Sequence, residues 1–95
     1  MPKLLSIKKS EKPDKKLVAT FKEDGRERRV HFGARGMDDY TLTKDKEQRS
    51  RYRARHAKDL KGDPTKAGYL SYHVLWGDST SREKNIEEYK KRFKL

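Results

Sequence analysis

Residues 17–32 have the sequence LVATFKEDGRERRVHF, in which two runs of strand-forming residues flank Asp24-Gly25. Asp-Gly between alternating apolar residues is a strong signal for a hairpin with a two-residue turn. That turn pairs Phe21 with Arg28, and it gives the hairpin one apolar face, formed by Leu17, Ala19, Phe21, Val30 and Phe32. The opposite face, which we expect to be exposed, carries Val18, Thr20, Arg29 and His31, with Arg26 and Arg28 near the tip.

The segment before the hairpin, residues 1–15, is predicted to be a flexible basic tail, and residues 16–95 a single domain. The tail is rich in lysine, and Pro2 and Pro13 disfavour regular structure. Leu4, Leu5 and Ile7 offer part of it as an edge strand. A basic arm that reaches a phosphate backbone or a neighbouring subunit and a solvated leader remain equal alternatives.

A glycine-containing loop follows the hairpin. Gly33 and Gly36 bracket Arg35, which indicates a tight loop with positive φ at one or both glycines. The loop has neither the lysine of a Walker motif nor a dinucleotide-binding fingerprint. For Asp38 and Asp39, a capping role or an ion pair with the following arginine-rich helix is favoured over binding of a divalent cation. Tyr40 is expected in the core.

The most basic segment is RSRYRARH, residues 49–56. A helix from about Lys44 to Leu60, capped by Thr43, is predicted there. Because residues three and four apart share a helix face, Tyr52, His56 and Leu60 form a narrow stripe. So polar a helix persists only if that stripe is docked. We therefore expect the stripe to anchor the helix and Arg49, Arg51, Arg53 and Arg55 to form its working surface.

Two further helices are predicted. Asp63 and Pro64 begin an apolar helix, which extends to Trp76, ends at Gly77 and should be the central core element. Its Gly68 is interpreted as allowing another element to approach closely. A capping box at Thr80–Glu83 opens the last helix, whose stripe of Ile86, Tyr89 and Phe93 should pack inward. The predicted fold class is α+β: an N-terminal β-hairpin packed on three α-helices, in one small domain.

Composition points away from catalysis and toward a polyanion. The 95 residues include 26 Lys or Arg and 15 Asp or Glu, which gives a formal net charge of +11. The chain has no cysteine, so disulfides, zinc–thiolate sites and thiol catalysis are excluded. Its three histidines lie on separate predicted elements without metal-ligand spacing. We expect a protein that is not an enzyme and has no cofactor or metal; a nuclease with His56 as base and Asp38 and Asp39 as metal ligands is the less favoured reading.

Arginine and lysine neutralise phosphates and release counterions, which gives affinity without sequence specificity. Nucleic acid, double-stranded DNA above all, is therefore the predicted partner. The competing hypothesis is a basic domain that docks on acidic protein subunits of a large assembly. No membrane span is expected, and a homodimer through Tyr69, Tyr72 and Trp76 is an open alternative. The predicted nucleic-acid-binding residues are Arg26, Arg29, Arg35, Lys44, Lys46, Arg49, Arg51, Arg53, Arg55 and Lys58.

Several spaced motifs together resemble an uncharacterised family, a domain of unknown function encoded by large double-stranded DNA viruses of algae and protists and by some green algae. The resemblance extends from about Lys16 to Phe93. It implies a virion- or genome-associated protein or, alternatively, a minor capsid or cement protein, located in the virion or at the replication site in the host nucleus or cytoplasm and not secreted. The motifs are His31–Gly36, Asp38–Thr41, Arg51-Tyr52, Arg55-His56, Asp63-Pro64, Ala67-Gly68, Leu75–Gly77 and Tyr89–Phe93.

Overall fold

The computed structural model describes residues 2–95, in which three strands are followed by helices. The strands are β1 (Lys3–Lys9), β2 (Lys15–Glu23) and β3 (Arg26–Ala34). The helices are α1 (Tyr40–Thr43), α2 (Lys46–His56), α3 (Ala67–Leu70) and α4 (Arg82–Phe93). A 3-10 turn (Ala57–Asp59) extends α2, and a π-helical turn (Ser71–Leu75) extends α3. The fold is α+β, as predicted, and α2, α3 and α4 correspond to the three predicted helices.

The central hairpin has the predicted register. In β2 and β3, Leu17 is opposite Phe32, and Phe21 is opposite Arg28. Asp24 and Gly25 have φ values of 53° and 77°, so both turn residues are left-handed, as a type I′ turn requires. The apolar face is buried as expected, with Phe21 and Phe32 each only 1% exposed.

The prediction of a two-stranded hairpin was incomplete, because residues 3–9 of the predicted tail form a third strand. The sheet order is β1-β2-β3, and each neighbouring pair is antiparallel. A register shift between Leu4 and Ser6 lets Leu4 and Ile7, three residues apart, both pack on the core, while Leu5 stays 48% exposed. The Leu4 N–H also donates to the carbonyl of Leu95, at 3.2 Å, which joins the sheet edge to the end of the chain.

The prediction that the second face of the hairpin is exposed was wrong for two of its residues. Val18 is 3% exposed, and the His31 side chain is 12% exposed. The added strand and its connection cover them, because Lys8 lies opposite Val18 and Ser10 Oγ lies 2.7 Å from His31 Nδ1. Burial on this side therefore depends on β1.

The core lies between the sheet and the C-terminal helices. The apolar α3 segment is its centre, as predicted, since Leu70 and Val74 are fully buried. The predicted stripe of α4 packs inward, and the Tyr89 hydroxyl donates to the carbonyl of Pro64 at 2.6 Å. The buried cluster comprises Leu4, Leu17, Ala19, Phe21, Phe32, Tyr40, Leu70, Val74, Leu75, Trp76 and Tyr89.

Three predicted helix starts were displaced. Thr43 ends α1, and Asp45 caps α2 by accepting hydrogen bonds from the next backbone N–H groups. Asp63 accepts from the Thr65 N–H at 2.9 Å and so closes a turn; the helix begins only at Ala67. Ser81, one residue after the predicted cap, caps α4. In the first and third cases a neighbouring short polar side chain makes the capping hydrogen bond, and in the second the Asp63 side chain closes a turn before the helix begins.

The interpretation of Gly68 was also wrong. A Cβ at Gly68 would meet nothing within 4 Å, so no element approaches it closely. The close approach is at Gly77, where a Cβ would lie 2.3 Å from the His73 carbonyl oxygen and 2.7 Å from the Asn85 side chain. Gly77 therefore ends the helix, as predicted, and also makes room for α4.

Candidate nucleic-acid interface

One side of α2 is docked by aromatic stacking, as predicted. The ring of Tyr52 stacks on Trp76 with a centroid separation of 4.3 Å and an angle of 8° between the planes. His56 lies against Tyr52 at 4.2 Å and 30°. We call these three rings the aromatic stack. It holds α2 against the end of α3 and thereby fixes which helix positions face solvent.

Two of the four arginines lie on this docked side; we call Arg49 and Arg53 the inner pair. The Arg49 guanidinium lies 4.5 Å from the centre of the Tyr40 ring and donates to the backbone carbonyl of Asp78 at 3.1 Å. Arg53 donates to the Asp78 carboxylate at 2.8 Å and lies 5.2 Å from the centre of the Tyr72 ring. The inner pair thus fastens the loop between α3 and α4 to α2.

The contact with Arg53 also changes the pKa of the Asp78 carboxyl. The hydrogen bond from Arg53 holds the pKa of Asp78 below its ordinary value of 3.8, against a small opposing effect of burial. Asp78 is therefore ionised at neutral pH and partly neutralises the inner pair. These two arginines are already engaged within the fold.

The other two arginines, Arg51 and Arg55, face solvent; we call them the outer pair. With Gln48 and Ala54 they line an open surface depression of about 480 Å³. Among residues 2–95, neither guanidinium has an ion-pair or hydrogen-bond partner. The same holds for three exposed lysines around this helix. We define the outer face of α2 by Arg51 and Arg55; the exposed Lys58 lies just past the end of the helix on the same side, and Lys44 and Lys46 are exposed around its start.

The remaining predicted site residues lie elsewhere. Arg29 pairs with the Glu11 carboxylate at 2.7 Å. Arg35 donates to the backbone carbonyl of Ser10 at 2.8 Å and so secures the β1–β2 connection. Arg26 is exposed at the hairpin tip, among acidic neighbours that include Asp24. The structure therefore brings Arg51 and Arg55 together on one face, leaves the three lysines exposed around the ends of α2, and gives the inner pair, Arg29 and Arg35 intramolecular partners.

A buried ionic cluster anchors the loop before α2. Asp39 is 1% exposed and caps α1 by accepting from the Thr41 N–H at 2.9 Å, so the capping prediction is confirmed. Its ion-pair partners are Lys16, at 2.5 Å, and Arg82, at 3.3 Å, instead of the arginine-rich helix. Burial alone would raise the pKa of Asp39, but the hydrogen bonds from Lys16 and Thr41 and the Arg82 charge lower it below 3.8. The sequence feature that could have indicated this cluster is the Asp-x-Thr spacing of Asp39 and Thr41, which favours a local side-chain turn.

A second cleft, of about 440 Å³, adjoins the outer face of α2. Its walls combine the β3–α1 loop with the aromatic stack, so sequence reasoning on single elements missed it. Arg55 lines this cleft as well as the open depression beside it. The lining residues are Gly33, Ala34, Gly36, Met37, Asp38, Gln48, Tyr52, Arg55, His56, Ser71 and Trp76.

Metal sites and membrane-spanning helices are both absent from the part of the chain that the structure describes. In residues 2–95, no group of three or more histidine or acidic side chains is arranged to hold a metal ion. None of the helices in that range combines the length and the hydrophobicity needed to cross a bilayer.

A model of a family of unknown function (DUF5754) matches residues 5–56, which is 52 of the 95 residues. The match confirms the expected resemblance to an uncharacterised family, but it lies further toward the N-terminus than predicted. It covers most of the sheet and all of α2, and it ends before α3. No curated protein and no solved structure has significant similarity to the chain.

Proposed function

The chain belongs to a family of unknown function (DUF5754), and we propose that it binds the phosphate backbone of nucleic acid through the outer face of α2, with little sequence specificity and without catalysis. The observation that carries this proposal is the contrast between the two arginine pairs. The fold engages the inner pair, whereas the outer pair is presented to solvent without a partner among residues 2–95. An exposed guanidinium pair with three lysines beside it is suited to phosphate oxygens.

The geometry also argues for phosphate contacts over base-edge recognition. Arg51 and Arg55 are four residues apart and therefore lie one above the other along the helix, about 6 Å apart in rise. Lys58, three residues after Arg55, continues this row past the end of the helix, and Lys44 and Lys46 add positive charge around its start. Such a row of cations follows a backbone, and its affinity comes from counterion release, which depends on salt and not on sequence.

The biological setting is part of the same proposal. We place the protein with the genome of a large DNA virus, in the virion or at the replication site in an infected cell, and duplex DNA is the first polyanion to test. The formal net charge of +11 supports attraction to any long polyanion at physiological pH.

The test compares two charge-matched double variants in a fluorescence-anisotropy titration with a 20-base-pair duplex. Arg51→Ala with Arg55→Ala removes two charges from the proposed face; Lys90→Ala with Lys91→Ala removes two exposed charges from α4. A plot of log affinity against log salt concentration becomes less steep by about 0.9 for each phosphate contact that is lost. The plot for the first variant should therefore be less steep than that for the wild type by about 1.8. At 50 mM salt this corresponds to about a hundredfold lower affinity. The α4 variant should change little.

Equal losses from the two variants would show that only the overall charge matters and would overturn the assignment to α2. Absence of any nucleic-acid binding at 50 mM salt would overturn the proposal as a whole.

The alternative function, docking on an acidic protein subunit as a minor capsid or cement protein, has one observation of its own. A cleft of about 560 Å³ on the sheet side of α1 is lined by Lys9, Arg35 and Arg82 and by exposed apolar side chains. Met37 and Leu42, on its rim, are 65% and 57% exposed. Positive charge beside exposed apolar groups suits a segment that alternates acidic and apolar residues. Binding of such a peptide, abolished by Leu42→Ser, together with no affinity for DNA, would favour this function.

A further inference from the structure

We propose that the cleft beside the aromatic stack binds an unpaired nucleobase, so that the protein prefers single-stranded nucleic acid to duplex. This inference rests on the proposed function, because it adds a base-binding site next to the phosphate-binding face. It concerns a different set of atoms, so the two can fail separately.

The outermost ring of the aromatic stack is available to a ligand. Tyr52 covers one side of the His56 ring, and the His56 side chain is still 42% exposed. The His56 Nδ1 lies 3.1 Å from the Asp59 carboxylate, which fixes the orientation of the ring. Behind it, Tyr52 and Trp76 are nearly parallel, so the stack is rigid. A preorganised flat surface of this kind is what base stacking requires.

The opposite wall of the cleft is the β3–α1 loop. Met37, 65% exposed, is the apolar side chain on that wall, and a flexible thioether packs well against an aromatic ring. Gln48, Ser71 and Asp38 supply donors and acceptors around the rim. A volume of about 440 Å³ lies within the range of sites that hold small organic groups.

Arg55 connects the cleft to the phosphate-binding face. It lines both depressions, and within residues 2–95 it has no ion-pair partner. A nucleotide whose phosphate meets the outer pair therefore has its base within reach of the aromatic stack. Bases inside a duplex are stacked on both faces and must be extruded before they reach a pocket, so the cleft selects single strands.

The experiment uses the full chain and two single-stranded ten-nucleotide DNAs that differ only in bases: oligothymidine and the same backbone with abasic sites. Both carry the same phosphates. Trp76 is the only tryptophan and lines the cleft, so its fluorescence reports a base that stacks there. We expect oligothymidine to bind about fivefold to a hundredfold more tightly than the abasic strand, the range that one stacked base contributes. Tryptophan quenching should occur with oligothymidine alone.

Two variants separate stacking from other roles of His56. His56→Ala should make the affinities for oligothymidine and for the abasic strand equal; this ratio does not depend on a general change in phosphate binding, which would affect both strands alike. His56→Phe keeps a flat ring without the imidazole nitrogens and should retain most of the preference. Arg51→Ala with Arg55→Ala should weaken both strands.

Three results would overturn the inference. The first is equal affinity of the wild-type chain for both strands, which leaves the phosphate-binding proposal intact. The second is a base preference that persists in His56→Ala, and the third is tighter binding to duplex than to oligothymidine at equal phosphate number. If neither strand binds at 50 mM salt, the proposed function itself fails, which the first result does not imply.

Discussion

Replacing the inner pair, Arg49→Ala with Arg53→Ala, should destabilise the fold, whereas the same change in the outer pair should leave stability nearly unchanged. Each double variant removes two arginines that are four residues apart on α2, so both lose the same residue type, the same charge and the same spacing. They differ in what the side chains contact. The comparison therefore isolates the contribution of intramolecular contacts from that of charge.

The magnitude follows from the contacts of the inner pair. The Arg53–Asp78 ion pair contributes little, about 0.2–1 kcal/mol, because the Asp78 side chain is 80% exposed. The hydrogen bond from Arg49 to the Asp78 carbonyl adds about 1 kcal/mol. The guanidinium contacts with Tyr40 and Tyr72 add about 0.5–1 kcal/mol each. The inner variant should thus lose about 2–4 kcal/mol in free energy of unfolding.

Thermal unfolding followed by circular dichroism measures this loss. For a domain of this size, 1 kcal/mol corresponds to about 4–8 °C, so the inner variant should melt about 10–30 °C below the wild type. The outer variant should stay within about 0.5 kcal/mol, as is usual for exposed residues without contacts. Equal melting temperatures for the two variants would refute the division of α2 into an engaged and a presented face.

Three further predictions concern stability and are measured by urea denaturation. Asp39→Ala should cost about 3–5 kcal/mol, because it leaves Lys16, whose side chain is 9% exposed, without its partner. Burial lowers the pKa of His73 from 6.5 to about 4, so the folded state resists protonation of this side chain. The free energy of unfolding should therefore fall as the pH drops from 6.5 toward 4. His73→Phe should remove that decline above about pH 4.5. Gly68→Ala should stabilise by about 0.5–1 kcal/mol, because its Cβ meets open space, whereas Gly77→Ala should destabilise by about 1–3 kcal/mol through its clash.

Local signals predicted the parts of the fold that depend on neighbours in sequence. The Asp24-Gly25 turn set the hairpin register, and the 0, +3, +7 spacing of Ile86, Tyr89 and Phe93 set the buried face of α4. The third strand was offered only as an alternative for part of the tail, because strand β1 does not alternate strictly. Leu4 and Ile7 share a face only through the irregular register between Leu4 and Ser6, and a period of two does not reveal such a shift.

In the candidate site, too, spacing along the sequence predicts some features, whereas others depend on tertiary contacts. Helical spacing alone already separates Arg49 and Arg53 from Arg51 and Arg55, since residues four apart share a face. It also places the first pair on the side toward which the predicted stripe of Tyr52, His56 and Leu60 runs. What spacing does not contain is the loop at Asp78, which comes from a distant part of the chain and turns the inner pair into structural residues.

The contacts with the loop at Asp78 determine which arginines of α2 remain exposed. A helix with four arginines and one narrow aromatic stripe has more cations than the fold can engage, and the two that lie beside the stripe are the ones that find carbonyl, carboxylate and aromatic partners. Since Asp78 partly neutralises the inner pair and Tyr40 and Tyr72 cover it, the arginines that remain exposed are those of the outer pair. If α2 binds a phosphate backbone as proposed, that backbone would meet the helix on this side, with Arg55 toward the cleft at His56. Fold stability and the proposed ligand binding would then depend on different arginines of the same helix, so substitutions in the two pairs should have separable effects.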